Sequence, residues 1–387
     1  MNETSKTIFN ALGRRAFLKA ASLPCLAACG GALVGDSPLF AAPPATDSDS
    51  QFTREAKFYE KLPYKKTKCK LCPRECVIDD QERGYCGVRE NRGGIYYTLV
   101  HSRVVTAHID PIEKKPFFHF MPGAVAFSLA TAGCNVNCKM CQNWDISQVR
   151  PEQVRATYAP PDKIASLAQQ NNCPVIAYTY SEPVIFLEYV LDCAAAGRAA
   201  GVRSAVVSGG YIQAEPLKKL CPQVDAIKID LKAYSEKFYK DVVNGELKPV
   251  LDALLVIQKA GVWNEIVYLV VPTLNDGDAE FHGLARWVKS ELGPDVPLHF
   301  SRFHPEYLLK NLPPTPIETL ERAKAIADAE GLHYVYIGNV PGHPAESTYC
   351  PQCHKKVVDR TGYSINGVYI HHGKCQFCHT TIPGVWT

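Results

Sequence analysis

"AVAFSLATAGCNVNCKMCQNW", residues 124–144, joins an apolar run to three cysteines, Cys134, Cys138 and Cys141, spaced C-x3-C-x2-C. The first half predicts a strand buried on both faces, of the kind found in parallel sheets. The second half puts three thiols within eight residues and no fourth close by. A disulfide framework, a zinc site completed by His119 or another distant residue, and a metal cluster left one ligand short all begin this way.

The surrounding sequence repeats the strand. "PVIAYTY", "SAVVS", "AIKIDL", "EIVYLVV", "PLHFSRF" and "HYVYIG" are short apolar runs. Between them lie "DKIASLAQQ", "VIFLEYVLDCAAAGRAAG", "ELKPVLDALLVIQKAG", "AEFHGLARWVKSELG" and "IETLERAKAIADAEG", which have helical spacing. Apolar strands alternating with helices predict parallel βα units. The expected fold is α/β: a partial (β/α)6 TIM-like barrel over residues 119–342. Small Cys-rich modules flank it at 55–118 and 345–387, and a signal and linker occupy 1–50.

In such barrels the chemistry collects at the C-terminal ends of the strands. Here those ends carry the cysteine triplet, Tyr180-Ser181-Glu182-Pro183, Ser208-Gly209-Gly210, Asp230-Leu231-Lys232, Ser301-Arg302-Phe303-His304 and Gly338-Asn339. One such residue means little, because a Glu or Lys after a strand is usually a solvated turn. Six converging on one rim point to a site.

Composition narrows the choice. Hydrophobic residues make up 46% and charged residues 21%, enough for a core, and a net charge of +3 without Lys/Arg blocks excludes nucleic acid as a partner. Eleven of the sixteen cysteines fall in three tight groups whose short hops suit metals better than disulfides. Three thiolates on a [4Fe–4S] cluster leave one iron open. That iron can chelate the amino and carboxylate groups of S-adenosylmethionine (SAM), whose sulfonium then takes one electron, losing its C5′–S bond homolytically to give a 5′-deoxyadenosyl radical. Gly133 permits the sharp turn into the array.

The sequence resembles the radical SAM superfamily, more narrowly the pyruvate formate-lyase activating enzymes, and most closely the AmmeMemoRadiSam system radical SAM enzymes. The resemblance spans about residues 55–387. It rests on "CKLCPRECVI", "RGYCGVREN", "DPIEKKPFFHFMPG", "GCNVNCKMCQNWDISQ", "YTYSEP", "IKIDLKA", "VVPTLND", "FSRFHPEY", "VYIGNVPG" and the terminal "YCPQC" and "CQFC". It implies that Cys134, Cys138 and Cys141 bind the cluster. Ser181 and Glu182 stand where a GGEP motif would hold the SAM amino group, Tyr180-Ser181 replacing the glycine pair. Asp230 and Lys232 match a D-x-K that contacts the methionyl end, and Lys232 would balance its carboxylate. Ser208 joins this cofactor-binding set, and His304 matches a His near the adenosyl group. Met140 stands where many relatives place an adenine-stacking aromatic. The implied function is hydrogen abstraction from a protein or peptide substrate, with an external one-electron donor. The alternatives are a small-molecule substrate, or an iron–sulfur or zinc electron-transfer or scaffold protein on a relic barrel.

Two further groups remain. Cys69, Cys72, Cys76 and Cys86 suit zinc or a second iron–sulfur cluster, with a structural metal preferred over an electron relay. Cys350, Cys353, Cys375 and Cys378 form two facing knuckles that predict structural zinc, with mononuclear iron as the alternative. Cys173, Cys193 and Cys221 read as buried small hydrophobes. Lys114-Lys115 read as a solvated turn or, with their flanking aromatics, a cover for the barrel mouth. Arg14-Arg15 followed by "AFLK" resembles a twin-arginine export signal. "LAACG" resembles a lipoprotein cleavage box, with Cys29 as lipid acceptor, and "LFAAPPA" is a competing cleavage region. The predicted location is the periplasm or a membrane anchor, with the cytoplasm as alternative.

Overall fold

The computed structural model describes residues 49–387. Arg14, Arg15, Cys29 and the competing cleavage regions lie outside them. All seven apolar runs form strands of one sheet: β2 (Val125–Ala130), β3 (Val175–Tyr178), β4 (Arg203–Ser208), β5 (Ala226–Asp230), β6 (Trp263–Val270), β7 (Leu298–Arg302) and β8 (Val335–Gly338). Sequential neighbours pair in parallel, with Ala126 opposite Val175 and Val175 opposite Arg203. The principal crossover helices are α1 (Pro161–Gln170), α2 (Leu187–Ala199), α3 (Ala214–Leu220), α4 (Leu247–Ala260), α5 (Asp278–Trp287) and α6 (Ile317–Ala329). Six βα units therefore deliver the chain to a seventh parallel strand.

The sheet has an eighth strand. Thr106–Pro111 (β1) pairs antiparallel with β2, Thr106 opposite Ala130 and Pro111 opposite Val125. The sequence assigns residues 106–111 to the N-terminal module, whereas the structure begins the barrel sheet with them, earlier than 119. "TAHIDP" ends in proline and buries only part of its length, both of which are tolerated on an edge. The two edges, β1 and β8, do not pair with each other, and the barrel stays open.

The helix stops follow the sequence. Helix α4 ends at Gly261, whose φ of +70° lets its N–H reach back to Gln258 O. Phe127, Ile176, Ile229, Ile266 and Phe300 are buried in the barrel core. Each contributes about 1.5–3 kcal/mol as area removed from water. Cys173, Cys193 and Cys221 are buried, as small hydrophobes would be.

The C-terminal module closes the end of the barrel where the strands start. Its core joins Val357, Val358, Ile370 and Ile382 to Phe118, Tyr334 and Tyr336. Arg360, buried, donates to Phe118 O at 2.5 Å and Thr348 Oγ1 at 2.7 Å. Val385 N–H donates to His119 O at 2.7 Å. The N-terminal module instead packs against α2, where Arg89 forms a buried ion pair with Glu188. Among the described residues no helix is long and apolar enough to cross a membrane.

Candidate functional site

At the open rim, β2 gives way to the cysteine loop at Gly133, whose φ is +95°. A Cβ there would lie 2.6 Å from Val88 Cγ1 and 2.9 Å from Cys86 O, so both conformation and space demand glycine. The loop is then tied to four neighbouring rim segments. Asn143 Nδ2 donates to Tyr180 O (2.9 Å) after β3, and Asn135 Nδ2 to Tyr211 O (2.7 Å) after β4. The backbone N–H groups of Asn137 and Lys139 donate to Val243 O and Val242 O, and Leu308 N–H donates to Lys139 O. The Val136 and Asn143 N–H groups point at the sulfurs of Cys134 and Cys141. Burial pushes the Cys138 thiol up to about 12, opposed chiefly by the Lys232 ammonium.

Glu182 is locked beside them. Its carboxylate accepts from Ser208 Oγ (2.6 Å), Gly209 N–H (2.8 Å) and Val184 N–H (3.1 Å). Burial raises its pKa, and those donors, with Lys232, pull the other way. Glu182 faces Cys134 electrostatically and Lys232 faces Cys138 and Cys141. The structure thus brings together the triplet, Glu182, Ser208, Asp230 and Lys232. Ser181 is in the same turn, and Met140 is buried within the cysteine loop. His304 is exposed after β7, and partial burial, with Arg302, lowers its pKa.

A charged row inside the barrel was not legible as a unit. Lys228 and Asp230 lie two apart on β5 and so share a face. Asp230 is paired with both Lys228 and Lys232. Burial pushes the Asp230 carboxyl up, but the two ammonium groups prevail and hold it at about 2. Lys115 is 3% exposed rather than in a solvated turn, and it forms an ion pair with Asp110. Burial lowers it to about 8 despite that partner. Tyr180 donates to Asp110 and lies 4.2 Å (ring centroid) from Lys115 Nζ. Its φ of +66° is a conformation glycine adopts freely, so the backbone keeps a glycine-like turn although a tyrosine occupies it. The available signal was the i, i+2 polar pair "K-I-D" in an otherwise apolar strand.

His119 does not complete the triplet. It lies at the other end of the barrel, donating from Nδ1 to Pro383 O (2.7 Å), and Nε2 accepts from Tyr336 Oη (2.6 Å). Asn135 Oδ1, Asn137 Oδ1 and Ser181 Oγ are buried around the cysteine loop without a hydrogen-bond partner. Unsatisfied polar atoms on this scale are costly unless a ligand meets them.

Residues 128–287 match the radical SAM superfamily. An uncharacterized protein of Methanocaldococcus jannaschii is 45% identical over 327 residues, covering 84% of this chain and 97% of its own. The chain belongs to the radical SAM superfamily. The pyruvate formate-lyase 1-activating enzyme of Escherichia coli is 22% identical over 225 residues, 54% of this chain and 91% of that enzyme. A solved radical SAM methyltransferase from Sphaerobacter thermophilus overlaps 56% of this chain and 67% of its own, at 16% identity and TM-score 0.45. Radical SAM membership implies a [4Fe–4S] cluster and SAM. Three converging thiols, a buried carboxylate, a lysine and orphaned polar atoms are a donor set that fits both.

The C-terminal cysteines form a second candidate centre. The sulfurs of Cys350, Cys353, Cys375 and Cys378 all lie within 4.8 Å of one another, close enough to hold one metal ion. Cys69, Cys72, Cys76 and Cys86 do not reach that spacing; among the described residues only the C-terminal group does.

Proposed function

We propose that this radical SAM enzyme cleaves SAM reductively and abstracts hydrogen from a protein or peptide, in the manner of an activating enzyme. The observation that carries this reading is the convergence of Cys134, Cys138 and Cys141 with Glu182 and Lys232 at one barrel rim. When bound, the cluster supplies the electron that breaks the SAM sulfonium. The chain's own residues orient the substrate. Ser181 and Glu182 would receive the SAM amino group, Lys232 would balance its carboxylate, Met140 would pack on the adenine through its thioether, and His304 would lie toward the adenosyl end. The motif set supports the AmmeMemoRadiSam group as the narrower assignment. The 22% identity to an activating enzyme supports a macromolecular substrate. A rim cleft of about 890 Å³ lies beside Cys134, lined by Arg83, Glu90, Asn137 and Arg150. Nothing at this rim favours the electron-transfer scaffold.

Zinc at the C-terminal group, an external electron donor and export through Arg14-Arg15 with Cys29 as lipid acceptor belong to the same reading. Twin-arginine export carries folded protein, which suits a cluster loaded beforehand. The deciding experiment is anaerobic reconstitution followed by dithionite and SAM. Release of 5′-deoxyadenosine that disappears in Cys141→Ala is expected; no release from the cluster-loaded wild type would refute the reading.

A further inference from the structure

The N-terminal cysteines form no disulfide, and their sulfurs do not all come within 4.8 Å of one another as those of the C-terminal group do. Cys69 and Cys76 flank a hairpin in which Cys69 N–H donates to Cys76 O at 2.9 Å, and Cys72 lies in the intervening turn. Cys86 comes from the next turn. The four thiols share one neighbourhood: Cys72 interacts electrostatically with Cys69, Cys76 and Cys86. Tyr85 N–H donates to Cys76 Sγ at 3.5 Å; burial pushes the Cys69, Cys72 and Cys86 thiols up, and the backbone N–H groups of Leu71, Arg74 and Val88 pull them the other way. Backbone donors beside the sulfurs are what metal-bound thiolates accept from.

The spacing separates the two metal chemistries. A tetrahedral ion with metal–sulfur bonds near 2.3 Å sets its sulfurs about 3.8 Å apart. The C-terminal group meets this, with Cys350–Cys378 at 3.5 Å and Cys353–Cys375 at 3.8 Å. The N-terminal sulfurs are more widely spread. A cluster accommodates that spread, because each ligand binds a different metal atom. The buried Arg89 guanidinium, which interacts with both Cys69 and Cys86, opposes the negative charge of such a centre.

We propose that Cys69, Cys72, Cys76 and Cys86 hold a second iron–sulfur cluster adjoining the SAM site. The junction is direct: the Cys86 carbonyl oxygen lies 2.9 Å from where a Gly133 Cβ would sit, and Cys86 and Cys134 line the same cleft. Electron flow through it balances. A low-potential one-electron donor loses one electron; the N-terminal cluster gains it, passes one on to the cysteine-triplet centre and returns to its oxidised state. This role, though not the cluster itself, rests on the SAM-cleaving reading above.

The test is iron, sulfide and zinc content of the anaerobically reconstituted full chain, with electron paramagnetic resonance after dithionite. Wild type should show two reduced signals, only one perturbed by SAM. Cys134→Ala/Cys138→Ala/Cys141→Ala should keep about half of the iron and sulfide. In Cys72→Ala/Cys76→Ala the SAM-perturbed signal should remain and relax more slowly, having lost its paramagnetic neighbour. Iron for one cluster only in wild type, with zinc accounting for both four-cysteine groups, would overturn the proposal even if no variant folds. Unchanged relaxation would remove the junction. If wild type holds two clusters yet never cleaves SAM, the functional reading fails and the second cluster stands.

Discussion

Ser208, at the end of β4, donates its hydroxyl hydrogen to Glu182 Oε1 at 2.6 Å, and Glu182 belongs to the turn after β3. The bond fixes a buried carboxylate that, among the described residues, no salt bridge holds. Ser208→Ala removes a charge-assisted bond worth about 1.5–3 kcal/mol. Affinity for SAM, followed by spectral titration of the reconstituted protein, should weaken about tenfold, with little change in iron content. Ser208→Thr should restore most of it. An unaltered titration in Ser208→Ala would show that Glu182 does not depend on this donor.

Gly133→Ala should be far more damaging than its size suggests. The new methyl meets Val88 and the Cys86 carbonyl, in a backbone conformation that costs about 1–3 kcal/mol for an L side chain. The loop must move, and the three sulfurs with it. Iron per chain should fall by more than about half. Full iron loading with an unshifted melting temperature would mean that this backbone relaxes without disturbing the array.

Stripping metal from the C-terminal cysteines should loosen the module that closes the far end of the barrel. A bound ion stabilises by about 4 kcal/mol at a thousandfold excess over its dissociation constant. Cys353→Ser should therefore lower the melting temperature and open residues 345–387 to protease, while the SAM-perturbed signal survives. Loss of that signal with the module still protected would place these cysteines in the chemistry instead.

Acid should weaken the fold through the same end of the barrel. Burial holds the His119 imidazole down at about 4, against an ordinary 6.5. His299, buried and bonded to Glu265 at 2.8 Å, is lowered as well. A neutral histidine in the fold and a protonated one in the unfolded chain make stability rise with pH. This contribution is complete above about pH 6.5 and falls away toward pH 4; His119 alone accounts for about 2 kcal/mol lost by pH 5. Urea midpoints between pH 7 and 5 should show the decline, and His119→Gln should flatten it. A flat profile in wild type would contradict the buried neutral state.

Much of this architecture is legible in the sequence. Apolar runs too uniform for a half-solvated sheet gave seven parallel strands, because a strand covered by helices on one face and by core on the other has no reason to alternate. Cys134, Cys138 and Cys141 were identifiable because short spacing forces proximity whatever the fold. Glu182, Asp230 and Lys232 were found by position, since parallel strands of a barrel bring their C-terminal ends together.

What linear order leaves open is how distant segments meet. Thr106–Pro111 joins the sheet as an antiparallel edge, a pairing that depends on which neighbour lacks a partner. Lys115 reads from sequence as a solvated turn or a cover for the barrel mouth, because only the folded sheet brings Asp110 and the Tyr180 ring around it. His304 stands exposed on the turn after β7, whose Leu308 N–H donates to Lys139 O of the cysteine loop, a contact no spacing along the chain announces. The spread of Cys69, Cys72, Cys76 and Cys86, against the tight C-terminal four, is likewise a three-dimensional fact: spacing along a chain sets how near thiols can come, while backbone folding sets how near they do.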